Sequence, residues 1–177
     1  MTQTDLRIRE ASPEDAQTIL SLINKAFEVE RYFLDADRMD NERLSLAMNK
    51  GRFLVAEDDR GRMVGCVYIE LSGGSAYLGL LSIDPERQRS GIGAVLVDAV
   101  EEQARNAGCL SVDLRVVDIR RDLPGYYRRL GYIETGTAPF PPDISTNQPC
   151  GFILMSKSLD RPDHGVENSM GSGVANA

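Results

Sequence analysis

With 177 residues, 42% of them apolar and 27% charged, the chain has the make-up of one globular domain able to bury a single core without staples. No apolar run approaches the ~18 residues a membrane span needs. A formal net charge of -7 argues against nucleic acid as a partner and fits a cationic or amine one.

Residues Met1 to Asp5 lack the basic and apolar regions of a signal peptide, so the expected location is the cytoplasm. Cys66, Cys109 and Cys150 are widely spaced among apolar residues and read as reduced core thiols, not a disulfide framework or a zinc site. The single histidine, His164, falls in a polar, Gly-rich run over 160–177. That run reads as a disordered tail beyond a domain over 1–159. A histidine placed there leaves Ser-His-Asp, Cys-His and His-ligated metal chemistry without their central residue, and no metal is expected.

In chain order, Leu6-Arg7-Ile8-Arg9 alternates as a short strand. Ser12-Pro13-Glu14-Asp15 starts a helix: a capping serine, proline at the first helical position and acids in the first turn. Ala16, Ile19, Leu20, Ile23 and Phe27 give it one apolar face. The pattern breaks between Glu28 and Asp40, and a second helix covers Asn41 to Asn49, ending near Gly51. The break reads either as a mobile lid over a substrate pocket or as a plain connection. Its acids suit a cationic acceptor or a solvated face.

Arg52 to Glu57 and Met63 to Glu70 read as strands joined by an Asp58-Asp59-Arg60-Gly61 turn, and Ser72-Gly73-Gly74-Ser75 turns into a third, Ala76 to Ile83. These make an antiparallel meander. A long helix then carries Ile92, Val95, Leu96, Ala99, Val100 and Ala104 on its apolar face, with Glu101, Glu102 and Arg105 toward water and Gly108 as its stop. The strand Leu110 to Val116 follows, so strand, crossover helix and strand form a parallel pair. A short helix with Tyr126 and Tyr127 ends at Gly131. A strand from Ile133, a Pro-rich loop and a closing strand Gly151 to Lys157 complete the domain.

The chemistry concentrates in Ser82 to Leu96. An apolar strand is broken by Pro85, a basic loop and two glycines follow, and a helix begins. Backbone amides in a first helical turn lack intrahelical partners, and the helix dipole favours negative charge there. Glycine at 91 and 93 lets a phosphate approach the backbone. Arg87 and Arg89 add positive charge beside it. The stretch reads as an anion cradle or as a tight strand-to-helix turn. Leu96 stands where a dinucleotide fingerprint needs its third glycine, and no G-x-x-x-x-G-K-[ST] phosphate loop occurs.

Gln88-Arg89-Ser90-Gly91-Ile92-Gly93 resembles the Q/R-x-x-G-x-G/A pattern of the GNAT superfamily of N-acetyltransferases. Tyr126-Tyr127-Arg128-Arg129-Leu130-Gly131-Tyr132 resembles that family's F-Y-x-x-L-G-F/Y segment. The resemblance runs from Leu6 to Leu159. It implies an α/β (α+β) fold of three layers, with a central mixed, twisted sheet of about 6–7 strands flanked by helices. It also implies an acetyl-CoA-dependent N-acetyltransferase acting by direct attack of a small-molecule or peptide amine, and leaves homodimerisation open. Alternatives are a catalytically silent acyl-CoA sensor, another acyl-CoA as donor, or an O-acceptor.

On the same resemblance, Arg89, Ser90, Gly91, Ile92, Gly93 and Ala94 hold the CoA pyrophosphate, and the pantetheine arm lies along Leu81, Ser82 and Ile83. The thioester carbonyl then falls near Gly79 to Leu81, and Tyr127 is the general acid for the departing thiolate. An alkyl amine of pKa ~10.4 is neutral only to a few parts in ten thousand, roughly, at pH 7, so a proton acceptor is required. The family's strand glutamate corresponds to Gly79, which moves the base to Glu70, Glu28, Glu30, water or the substrate itself. Arg120 replaces the family's asparagine and reaches either the cofactor phosphates or solvent.

Overall fold

The computed structural model describes residues 5–159. The expected tail over 160–177 and His164 lie outside them. The chain builds β1 (Arg7–Glu10), α1 (Ala16–Ala26), α2 (Asn41–Lys50), β2 (Arg52–Glu57), β3 (Met63–Ser72) and β4 (Ser75–Ile83). Then come α3 (Ile92–Asn106), β5 (Ser111–Val117), α4 (Asp122–Arg129), β6 (Ile133–Pro139) and β7 (Gly151–Ser158). The seven strands form one sheet in the order β1-β2-β3-β4-β5-β7-β6. Only β4 and β5 run parallel; every other neighbouring pair is antiparallel. This is the expected mixed sheet between helical layers.

Strand alternation divides the core. Leu54, Val64, Leu78, Val112 and Leu114 face α3 and α4, while Phe53, Val55, Cys66 and Tyr68 face α1 and α2. Each fully buried aliphatic side chain in these layers, such as Ile19 or Leu96, contributes about 1.5–3 kcal/mol through burial. Local capping fixes the helices to the sheet. Ser12 donates its amide to Asp15 Oδ2 at 2.8 Å, and the Arg9 guanidinium forks onto both Asp15 oxygens at 2.7 and 2.9 Å, which ties β1 to the start of α1. That pairing holds the Asp15 carboxyl well below the usual range.

One open reading narrows and one expectation needs correction. The 28–40 break is anchored, and its Glu30, Arg38 and Met39 line the cavity described below. Phe33 and Leu34 are buried against Val117 and Phe152, and Leu34 bridges Thr146. A run without periodicity thus packs through two adjacent aromatic and aliphatic anchors. On α3 the apolar face is rotated by one position: Val97 is buried, Val95 is 39% exposed, and Glu101 is buried. Lys157 of β7 bonds both Glu101 oxygens at 3.0 and 2.9 Å and the Tyr132 hydroxyl donates to it at 3.2 Å, so the carboxylate is satisfied inside. The three cysteines are free thiols as expected, Cys66 and Cys109 buried and Cys150 half-buried. Burial pushes the Cys66 thiol up to about 12.

Candidate active site

The site begins where β4 and β5 part. Their ladder covers only Ser75–Ser111, Ala76–Val112 and Tyr77–Asp113, and beyond Tyr77 the two strands separate. On its other side β4 stays paired with β3, but Tyr68 pairs Gly79 and Cys66 pairs Ser82, so Leu80 and Leu81 together oppose Val67. This is a β-bulge, and it puts Leu80 at φ 51, a left-handed conformation costly for a leucine. The Ser82 hydroxyl donates to the Leu80 carbonyl at 2.9 Å, which braces the bulge.

The glycine-rich turn follows. Asp84 accepts the Glu86 amide at 3.1 Å, and left-handed residues at Arg89 (φ 61) and Gly91 (φ 84) bring the chain to the first turn of α3. Gly91 is required by its φ, with open space around it. Gly93 is required for a different reason from the one the sequence suggests. A Cβ there would stand 2.5 Å from the Tyr126 hydroxyl, so a neighbouring side chain, and not a ligand alone, claims its space.

One cavity of about 880 Å³ fills the opening. Leu81, Ile83, Arg89, Gly91, Ile92, Gly93, Ala94 and Tyr127 all line it. Ser82 and Ser90 do not: Ser82 is buried away from it, and the exposed Ser90 hydroxyl bonds back to the Arg87 carbonyl. Arg87 lines the cavity and pairs with Asp58 at 3.5 Å, and Arg129 of α4, which the sequence motifs do not mark, also reaches the wall. Among the described residues seven arginines and four carboxylates (Glu30, Glu70, Asp122, Asp143) line the cavity, so the acids of the 28–40 stretch do not make it a cationic-ligand pocket by charge alone.

Tyr127 is buried on α4, edge-on to Tyr126 and Tyr132 with ring centroids at 5.2 and 5.8 Å. Burial raises its hydroxyl pKa, with Tyr126 adding a smaller push, so it holds its proton at neutral pH. A protonated phenol facing a cavity can donate to a developing anion.

The opposite wall collects charges from distant parts of the chain. Arg120, expected at phosphates or in solvent, instead bonds buried Glu30 at 3.2 Å and Asp122 at 3.1 and 3.0 Å. Glu30 is 2% exposed, and desolvation raises its pKa despite Arg38 and Arg120. Among the described residues its Oε2 has no hydrogen-bond partner, and Arg38 Nε stands 3.9 Å away. Glu28 is exposed and off the cavity wall. Glu70 lies on the wall in register with Tyr77, accepts the Tyr68 hydroxyl at 3.0 Å and pairs Lys50 at 3.0 Å. Tyr68 itself sits opposite Gly79. Arg115 of β5 also lines the cavity, its guanidinium over the rings of Phe152 and Tyr77 at 4.8 and 5.7 Å. In the sequence it is only the polar phase of an alternating strand.

The family model described as "Acetyltransferase (GNAT) domain" matches residues 49–134. The chain is 30% identical over 142 residues to an IAA acetyltransferase of Azospirillum brasilense, covering 76% of this chain and 89% of that one. It is 26% identical over 121 residues to a mycothiol acetyltransferase of Clavibacter sepedonicus, covering 67% of this chain and 40% of that longer protein. Among solved structures, Ard1 from Thermoplasma volcanium superposes with a TM-score of 0.72 at 21% identity, over 87% of this chain and 97% of that one. The Escherichia coli ribosomal-protein-S18-alanine N-acetyltransferase gives 0.70 at 16% identity, over 93% and 98%. At these identities the two structures speak for the fold.

Proposed function

The chain belongs to the GNAT superfamily of acetyltransferases and so is an acyltransferase; from that premise we propose that its donor is acetyl-CoA and its acceptor a primary amine. The observation that carries this reading is the parting of β4 from β5 at a bulge, with the α3 N-terminus and Tyr127 opening on one cavity. The residues fit the donor. Gly91 lends a left-handed turn, the first-turn amides of α3 lack intrahelical partners, and Arg89 and Arg129 stand beside them. The flank of β4 from Leu81 to Ile83, freed from β5, can take an extended arm as an added strand.

In this proposal an amide of the Gly79–Leu81 bulge donates to the acyl oxygen as negative charge develops there. The amine nitrogen bonds the acetyl carbon as the carbon–sulfur bond breaks. Tyr127 gives its hydroxyl proton to the departing sulfur, and Glu70 accepts the proton the amine loses. Of the three acids that sequence reasoning left open, Glu70 best fits the base. It is on the wall and partly accessible, while Glu30 is sealed behind Arg120 and Glu28 is off the wall.

Mixing acetyl-CoA with a panel of primary amines, and following thiol release together with the mass of the amide product, tests the reading. Tyr127→Phe should lower kcat by roughly 100-fold and leave the KM for acetyl-CoA within a few-fold. Tight acetyl-CoA binding without thiol release for any amine would replace the enzyme with an acyl-CoA sensor.

A further inference from the structure

The cations of the cavity wall differ in how far they are already spent. Arg120 is bound by Glu30 and Asp122, Arg38 faces Glu30, Arg43 lies 3.7 Å from Asp40, and Arg87 is at Asp58. Arg89 and Arg129 belong to the glycine turn and α4, on the side assigned to the donor's phosphates. That leaves Arg115. Among the described residues no carboxylate lies within 4.0 Å of it, and both partners of its guanidinium are aromatic rings, Tyr77 and Phe152. Stacking of this kind occupies the faces of the planar group and leaves its edge, which carries the N–H donors, free.

Position gives this edge a purpose. Tyr77 and Asp113 are the last paired residues of β4 and β5, so Gly79 and Arg115 stand one pleat further on, across the opening from each other. Leu114 and Val116 face the α3 side, which turns Arg115 to the face covered by α1 and α2, together with Tyr68 and Tyr77. The bulge that would handle the acyl oxygen and the unspent guanidinium therefore share one chamber. Glu70 lies on the far side of Tyr77.

We propose that the acceptor amine also carries a carboxylate, as a free amino acid or related amino carboxylate does, and that Arg115 binds it; this rests on the acyl-transfer reading of the same cavity. Arg115 holds the carboxylate by a forked pair of hydrogen bonds, and the amino end is thereby directed to the bulge and Glu70. The group is pre-organised, because the two rings fix the guanidinium before the ligand arrives.

The test compares acceptors that differ only by the carboxylate: phenylalanine with phenethylamine, leucine with isoamylamine, and serine with ethanolamine. Thiol release and product mass are followed for the full chain and for Arg115→Gln. The amino acids should be the better substrates. Arg115→Gln should raise their KM by about 10- to 100-fold with kcat within a few-fold, and should leave the decarboxylated amines unchanged. Arg115→Lys should recover only part of the loss, since it lacks the fork.

The proposal is overturned if the carboxylate-free amines are preferred or if both members of each pair lose equally. It is also overturned if the change falls on the KM for acetyl-CoA, which would assign Arg115 to the donor. If no amine at all is acetylated, the acyl-transfer reading fails separately. Saturation-transfer NMR with the same three amino acids then still decides the anion site. Binding that Arg115→Gln abolishes supports it, and no binding of any of them overturns it.

Discussion

The proposed donor and acceptor halves of the cavity are built in opposite ways. The donor half comes from two stretches: the β4 bulge running straight into the turn through Gly91 and Gly93, and, after α3 and β5, Tyr126 and Tyr127 on α4. Its chemistry is that of the backbone, namely amides without partners, left-handed residues and a helix end. The acceptor half gathers Glu30, Glu70 and the Arg115–Arg120 run from three stretches, and its chemistry is that of side-chain charges. Backbone chemistry leaves a trace in glycine spacing. Charge chemistry acquires meaning only when topology decides which arginine meets which carboxylate.

The largest effect that would sharpen this contrast lies in the acceptor half. Glu70→Gln should cut kcat by about 100-fold and leave acetyl-CoA binding unchanged, since it removes a proton acceptor and no donor contact. A full-activity variant would end the assignment of Glu70 and return the proton to water or substrate. On the donor side, Gly91→Val should weaken acetyl-CoA binding by at least about tenfold by titration calorimetry. A left-handed L-residue costs roughly 1–2 kcal/mol before the branched side chain is counted. Unimpaired binding would break the claim that the backbone defines this half.

A smaller effect separates the two reasons for glycine in the turn. Gly93→Ala should destabilise the fold by about 1 kcal/mol in urea, because its Cβ meets the Tyr126 hydroxyl. In a Tyr126→Phe background the nearest remaining ring carbon is 3.6 Å away, an ordinary contact, and most of the loss should disappear. Equal losses in both backgrounds would mean that Tyr126 does not own that space.

The smallest effect concerns pH. Burial raises the Glu30 pKa above its unfolded value, so its contribution is fully present below the ordinary glutamate range and is lost as pH rises through the raised value. Denaturation curves should therefore show stability falling over that interval. Glu30→Gln should flatten the fall and, because it keeps the neutral form that burial favours, change stability little near neutral pH. A steep loss in that variant would show that the charge of Glu30 is needed by Arg38 and Arg120.

The strands and helices were legible because their periods are local. β2 runs over Arg52–Glu57, as its short apolar run and the following turn residues suggest, and α2 over Asn41–Lys50. What could not be read was decided by partners remote in sequence. Glu101 looks like a solvated residue on α3 until β7 brings Lys157 against it. Arg120 carries no local mark of its bond to Glu30, ninety residues earlier in the chain. The left-handed turn at Gly91 was visible; the competing claim of Tyr126 on Gly93 was not, since α4 must first fold back over the α3 N-terminus.

The separation of β4 and β5 has a consequence for solubility. A sheet normally offers unpaired backbone only at its outer strands, here β1 and β6, where a foreign strand can add on. The parting creates a third such border inside the sheet, between Leu78–Ile83 and Leu114–Val117. It opens into the cavity, whose walls include residues of α3 and α4. The protein thus keeps an unpaired strand edge inside its own fold, where backbone that could otherwise recruit a foreign strand is flanked by its own side chains.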